Sequence, residues 1–245
     1  MTRSRSRGAR AAAALLVPLG VAVLAGCSGS AKPLAHAAPV ASAAASTSAP
    51  TSPNPSTTPP TATPTPTPTT TSAPVSAAQQ RQVTYALTYW KNYNSSVYGN
   101  DNPNGGDCAN FVSQTLIQRG WKMNATWYNH GQGAMSPAWA YVPAMLDYFQ
   151  ANQAALGLQQ LGMDDRTKYA VGDVVMFWWK NADGSYDSGP DHVQVIDRIT
   201  TTNGHISVEM ASHNDDFDYR DLDHEITVEH PGAKFLVWHL TRDTN

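Results

Sequence analysis

Cys108 is the residue of this sequence best suited to nucleophilic chemistry. It follows a flexible, polar run and begins an amphipathic pattern that predicts a helix over residues 108–119, with Gly120 as its stop. The N-terminus of a helix carries roughly half a positive charge, which favours the anionic form of a cysteine. The sequence therefore predicts a thiol where thiolate chemistry is easiest.

A thiol nucleophile needs a base, and histidine is the usual one near neutral pH. Of the seven histidines in the body of the chain, His192 is the preferred candidate, because it begins a predicted strand over 192–200. A residue at the start of a strand can face the N-terminus of a helix that packs across the sheet. The base must be oriented by a third polar group. His213, at the end of the next predicted strand, comes first for this role, with Asn214 and Glu209 as alternatives.

Other chemistries have weaker signals. The sequence has neither a Cys-x-x-Cys pair nor a His-Glu-x-x-His spacing, so no metal or other cofactor is expected. A glycosidase needs two carboxylates at a suitable separation. The acidic residues Asp215, Asp216 and Asp218 crowd into one short stretch, which favours a solvated loop.

The first 27 residues have the organisation of an export signal. A basic start precedes an apolar run that is rather short for a membrane span and is interrupted by Pro18. Its end, residues 24–27, reads Leu-Ala-Gly-Cys and resembles the bacterial lipobox, which implies cleavage before Cys27 and lipidation of its thiol. An ordinary signal peptide with a chance cysteine is the alternative. With Cys27 used in this way, Cys108 has no disulfide partner, which favours a role for its thiol.

Two further parts follow the signal. Residues 28–77 are mostly Ala, Ser, Thr and Pro, with Lys32 as their only Lys, Arg, Asp or Glu. This composition predicts a disordered, extended linker with a reach of roughly 150 Å. Residues 78–245 have the complexity of one globular domain. The body carries 11 basic and all 19 acidic residues, a net charge of −8, which argues against a nucleic-acid partner.

Hydrophobic periodicity within the domain predicts helices first and strands afterwards. Helices are expected over 78–93, 108–119 and 137–151, and Pro143 either kinks the third helix or marks its true start. Strands are expected over 173–180, 192–200, 205–212 and 233–240. The segment 201–204 ends in Asn-Gly and predicts a hairpin. Helices followed by an antiparallel meander indicate an α+β fold.

Several motifs resemble the NlpC/P60 and CHAP group of papain-like cysteine peptidases and amidases, and most closely its "putative amidase domain" family. Residues 89–94 read Tyr-Trp-Lys-Asn-Tyr-Asn, similar to a helix end of that family. Residues 107–114 read Asp-Cys-Ala-Asn-Phe-Val-Ser-Gln, where family members have threonine after the cysteine. Residues 172–175, 191–195 and 212–215 resemble its Gly-Asp, His-strand and His-Thr-Asn-Asp segments. The likeness spans about 82–240.

This resemblance implies a papain-like fold in which N-terminal helices, one begun by the cysteine, pack on an antiparallel sheet. It implies Cys108 as nucleophile, His192 as base and His213 as third member. With the export signal, it predicts a lipid-anchored, monomeric cysteine amidase or peptidase at the outer face of the cell membrane or in the wall, acting on peptidoglycan. Two alternatives stay open. One is a non-catalytic wall- or partner-binding module with aromatic residues in a groove, and the other is an acyl transferase.

Overall fold

The structure is a computed structural model that describes residues 69–72 and 74–245. The predicted signal peptide with Cys27, and nearly all of the predicted linker, lie outside these residues. In the described part of the chain, no helix is long and apolar enough to span a membrane.

The helices come mainly before the strands, as the sequence predicted. They are α1 (Ala77–Tyr89), α2 (Ser95–Tyr98), α3 (Cys108–Arg119), α4 (Pro137–Ala140), α5 (Val142–Leu156) and, late in the chain, α6 (Leu222–His224). Two 3₁₀ segments (Asn102–Asn104 and Met163–Lys168) and a π-helical turn (Glu225–Glu229) add to them. The predicted bounds of the helix that begins at Cys108 are confirmed.

The third predicted helix is two helices separated at Tyr141. This residue has extended backbone angles, φ −128° and ψ 121°, and Pro143 lies in the first turn of α5. Proline lacks the N–H that a continuing helix needs, and its ring would clash with a carbonyl group of the preceding turn. The proline therefore marks the start of a new helix, which was one of the two predicted outcomes.

The strands form one antiparallel sheet. They are β1 (Thr70–Ser72), β2 (Leu158–Leu161), β3 (Val174–Trp178), β4 (His192–Thr202), β5 (His205–Ser212), β6 (Phe217–Asp221) and β7 (Lys234–Leu240). The order across the sheet is β2-β7-β3-β4-β5-β6, and β1 pairs with the end of β4. The predicted α+β class with an antiparallel sheet is confirmed. Strand β1 lies within the stretch predicted as a disordered linker, because the long β4 offers free backbone groups there.

The hairpin between β4 and β5 fixes the part of the sheet that carries both candidate histidines. Asn203 and Gly204 have φ values of 52° and 83°, and Thr202 pairs with His205 directly across this two-residue turn. Positive φ at both central positions is the mark of a type I′ turn, which Asn-Gly favours. The predicted hairpin is confirmed, and it places the start of β4 beside the end of β5.

Two hydrophobic clusters cover the two faces of the sheet. Helix α3 packs through Phe111, Val112 and Leu116 against Val193 and Val195 of β4. A second cluster forms from alternate strand residues, which include Val175, Phe177, Ile196 and Met210. The start of α3 is therefore held against the first residues of β4.

Candidate active site

Cys108 lies at the first position of α3, on the wall of a cavity of about 710 Å³. Its side chain is buried, and it is a free thiol within the described residues. The cavity extends between the loop that precedes α3, the start of α5 and the loop that leads to β4. Four of its lining residues are aspartates, Asp101, Asp147, Asp187 and Asp191.

Burial controls the ionisation of this thiol. Desolvation raises the pKa of Cys108 to about 11, although backbone N–H groups of Val193, Ala109 and Cys108 itself favour the thiolate. The carboxylate of Asp107 adds to the upward shift. The resting thiol is therefore protonated at neutral pH.

Asp107 is the N-cap residue of α3, but its side chain makes no capping hydrogen bond to the helix within the described structure. Its Oδ1 accepts hydrogen bonds from the backbone N–H of Asp101 (2.7 Å) and from Nδ2 of Asn110 (2.8 Å). Its Oδ2 lies 2.6 Å from Nδ1 of His213. Asp107 therefore does not cap the backbone N–H groups in the first turn of α3, and these groups can donate to a negatively charged atom near the thiol.

The His213 ring is fully buried, and both of its nitrogens have partners. The ring stacks between Tyr93 and Phe111, with centroid distances of 3.7 Å and 4.1 Å. Its Nε2 lies 2.8 Å from the carbonyl oxygen of Tyr89, and its Nδ1 contacts Asp107. A carbonyl oxygen and a carboxylate are both acceptors, so both nitrogens of this ring face an acceptor.

Asn214 also binds the segment in front of the thiol. Its Oδ1 accepts a hydrogen bond of 2.6 Å from the backbone N–H of Asp107. Its own backbone is left-handed, with φ 60°. Glu209, by contrast, pairs with Arg198 across the β4–β5 ladder. Two of the three candidate orienting residues therefore contact Asp107, and Glu209 is engaged elsewhere.

His192 begins β4 and is 7% exposed. Its ring lies beside Trp179, with a centroid distance of 6.0 Å, and its buried Nε2 has no hydrogen-bond partner among the described residues. Burial, and then the nearby charges of Arg220 and His230, lower the pKa of His192 to about 3. This imidazole is therefore neutral at physiological pH.

The structure does not bring the rings of His192 and His213 together. Side chains alternate along a strand, and His192 pairs with Phe177 of the second cluster, on the face away from α3. His213 stacks instead on Phe111 of α3 itself. The predicted closeness of the two strand ends holds for the backbone, but the pleat directs the two rings to opposite faces.

His192 lines a second cavity of about 540 Å³, together with Tyr93, Trp179, Asn214 and Arg220. Asp191 lines both this cavity and the one that contains Cys108. No hydrogen bond joins the Cys108 thiol to a histidine anywhere in the described residues. The two candidate reactive groups thus reach adjoining cavities on either side of the segment that enters β4.

A polar network behind His192 escaped the sequence analysis. Gln194 donates a 2.6 Å hydrogen bond from Nε2 to Oε1 of the fully buried Glu225, and Nη1 of Arg220 lies 3.3 Å from the same oxygen. Burial raises the pKa of Glu225 to about 7. One feature of the sequence could have revealed this network, because the polar Gln194 interrupts an otherwise apolar strand start.

The described residues contain no group of three or more His, Cys, Asp or Glu side chains placed to hold a metal ion.

The fold and the site define an α+β domain in which a free cysteine begins a helix packed on an antiparallel sheet. Residues 76–238 match the model of the family described as "Putative amidase domain", and the chain belongs to that family. Its description indicates hydrolysis of an amide bond. No curated protein and no solved structure gives a significant match to the chain.

Proposed function

We propose that this protein is an exported cysteine amidohydrolase with the papain-like arrangement of NlpC/P60 enzymes, in which Cys108 is the nucleophile and His192 the base. The observation that carries the proposal is the position of the thiol. Cys108 lies at a helix start on a cavity wall, and the backbone of Val193, the residue after His192, favours its thiolate form. The family supplies the reaction class, and this thiol supplies a nucleophile for it.

Hydrogen bonding favours His192 over His213 as the base. A base needs a nitrogen with a free lone pair, and both nitrogens of His213 face acceptors. The Nε2 of His192 has no partner in residues 69–72 and 74–245. His192 therefore has the lone pair that accepting the thiol proton requires.

The reaction begins from neutral groups. As the sulfur attacks the substrate carbonyl carbon, the S–C bond forms and the thiol proton passes to His192, which the substrate complex must bring within hydrogen-bond reach of the sulfur. The backbone N–H groups of Cys108 and Ala109 hold the oxygen that becomes negative. The C–N bond then breaks as the imidazolium of His192 protonates the leaving amine. His192 next takes a proton from the water that attacks the thioester; the C–S bond breaks, the acid leaves, and His192 returns the proton to the sulfur.

Cell-wall peptidoglycan is the proposed substrate. An export signal followed by a long linker suits a domain that works away from a membrane surface. The aspartates that line the Cys108 cavity suit a substrate with a positively charged group near the scissile amide. A peptide with a free amino group meets this requirement.

The proposed cellular location of the protein rests on its N-terminal sequence. We propose that Cys27 is lipidated, that residues 28–77 form the tether, and that the domain acts as a monomer outside the cell membrane. Strand β1 indicates that the last residues of the tether join the sheet.

The test is release of fragments from purified cell wall, identified by mass spectrometry. We expect the full-length protein to cleave an amide bond, Cys108→Ser to lose at least about a hundredfold in rate, and His192→Gln to lose activity comparably. His205→Gln, on the exposed side of the hairpin turn, is the matched control and keeps full activity. Full activity of Cys108→Ser would end the proposal. Products joined to an added amine would indicate acyl transfer instead.

A second function, a wall-binding module that keeps the fold without catalysis, is favoured by the separation of Cys108 and His192, which line different cavities. The aromatic groove of such a module cannot include four of the tryptophans, because they are fully buried in the core: Trp121, Trp127, Trp139 and Trp238. Wall binding by Cys108→Ser, with no release of fragments by the wild-type protein, would support this function.

A further inference from the structure

The segment before α3 is tied to the sheet by one compact set of contacts. Asp107 holds the Asp101 backbone, the Asn110 side chain and the His213 ring, while its own backbone N–H donates to Asn214. Its peptide group continues directly into Cys108. A change in the position of Asp107 is therefore transmitted to the nucleophile through one covalent linkage, and a change in its charge acts on the adjacent thiol through space.

We infer that His213 is a positioning residue that acts on Cys108 through Asp107, as a buried cation that offsets the carboxylate beside the thiol. This inference rests on the proposed function of Cys108. It assigns Asp107 a part in that site and separates His213 from the orientation of His192.

Shape and hydrogen bonding both support a cation at His213. Its ring is held between the aromatic faces of Tyr93 and Phe111, which suits a positive charge. The carbonyl oxygen of Tyr89 and the Asp107 carboxylate accept from its two nitrogens. A neutral ring would leave one of these buried acceptors without a hydrogen, which is costly in a low-dielectric interior.

The charges near the Cys108 thiol explain why a cation at His213 matters. Burial is the main cause that raises the pKa of Cys108, and the carboxylate of Asp107 adds to it; Asp101 and Asp191 also line the cavity. From β4, the backbone of Val193 favours the thiolate. Around His213, α1 contributes the Tyr89 carbonyl, the next segment contributes Tyr93, the N-cap of α3 contributes Asp107, and α3 itself contributes Phe111. His213 is thus the cation that compensates the acid nearest to the sulfur.

The test uses Asp107→Asn and His213→Gln in the full-length protein. An asparagine keeps Oδ1 for Asp101 and Asn110, and its Nδ2 donates to Nδ1 of a neutral His213, so the contacts survive without the charges. We expect the rate of thiol alkylation by iodoacetamide near neutral pH to rise roughly three- to tenfold in Asp107→Asn. In His213→Gln the uncompensated carboxylate lowers this rate by a similar factor.

Nitrogen-15 NMR of the histidine rings supplies the independent measurement. The wild type should show His213 with both nitrogens protonated, and Asp107→Asn should show a neutral ring. Asp165→Asn, at a partly exposed carboxylate paired with Lys168, and His205→Gln are the controls and leave both measurements unchanged. Thermal unfolding verifies that each variant is folded.

A neutral His213 in the wild type, or alkylation rates that move in the same direction in both variants, would overturn the inference. Neither measurement requires turnover. If Cys108→Ser retains activity while the alkylation rates move as expected, the proposed function fails and the charge pair stands. If the alkylation rates do not change while Cys108→Ser is inactive, the charge pair fails alone.

Discussion

Gly106 lies so close to Asn214 that a Cβ added to Gly106 would come within 2.3 Å of the side-chain Nδ2 of Asn214. The glycine also has a φ of 138°, which residues with a side chain rarely adopt. This close approach lets Asn214 accept the hydrogen bond of the Asp107 backbone, just ahead of the nucleophile. The glycine is therefore required for the geometry of the site.

Gly106→Ala should displace Asn214 and disturb the start of α3. We expect the free energy of unfolding to fall by about 1–3 kcal/mol and activity on cell wall to fall further than stability explains. The neighbouring Gly105 is a matched control, since its φ is 119° but a Cβ there meets nothing within 4 Å. Denaturant unfolding and cleavage rates of Gly106→Ala and Gly105→Ala separate backbone strain from the clash. Equal losses in the two variants would contradict this prediction.

The resting thiol should behave as an ordinary protonated cysteine. Because burial raises the pKa of Cys108 to about 11 and lowers that of His192 to about 3, a preformed thiolate–imidazolium pair is not expected. The rate of alkylation by iodoacetamide should therefore rise about tenfold per pH unit between about pH 6 and 9. His192→Gln should show the same slope. A plateau of fast alkylation below pH 7 in the wild type alone would show instead that the pair exists before substrate binds.

The elements that carry a strong periodic or turn signal were predictable from the sequence. Helix α3 and strand β5 have the predicted bounds, because an apolar stripe and a strict alternation mark them. The hairpin followed from Asn203-Gly204, whose backbone preference is local. Local chemistry decides such elements, so no knowledge of the tertiary structure was needed.

Elements that depend on tertiary contacts were missed. Strand β2 is only Leu158–Leu161, with two exposed glutamines, and it forms because β7 offers a free edge. Strand β6 forms next to β5 despite a positive φ at Tyr219. At the site, the sequence predicted that His192 and His213 lie at neighbouring ends of two strands. It did not show which face of the sheet each ring occupies. A shift of one residue along a pleated strand reverses that face.

The turn between β4 and β5 should affect stability without affecting chemistry. Gly204 has a φ of 83°, and a Cβ there would meet nothing within 4 Å. Gly204→Ala should therefore lower the free energy of unfolding by about 1 kcal/mol through backbone strain alone. The cleavage rate per folded molecule should stay at the wild-type value, since the turn lies at the far end of β4 from His192. A loss of activity larger than the loss of folded protein would show coupling along the hairpin.

The buried Glu225 should make stability depend on pH with a definite sign. Desolvation raises its pKa from 4.5 to about 7, so the folded state holds the proton more tightly than the unfolded state does. This contribution is complete below about pH 4.5 and is lost as the pH rises through about 7. Glu225→Gln mimics the protonated acid, and its amide still accepts from Gln194.

We expect Glu225→Gln to match the wild type near pH 4.5 and to be more stable near pH 8, by on the order of 2–3 kcal/mol. Asp197, whose pKa burial also raises to about 7, titrates in the same window in both proteins, so the difference between them isolates Glu225. Urea unfolding across this pH range provides the measurement. A variant that loses stability equally at both pH values would show that the carboxylate is needed by Arg220 as a charge, and that Glu225 is ionised in the folded protein.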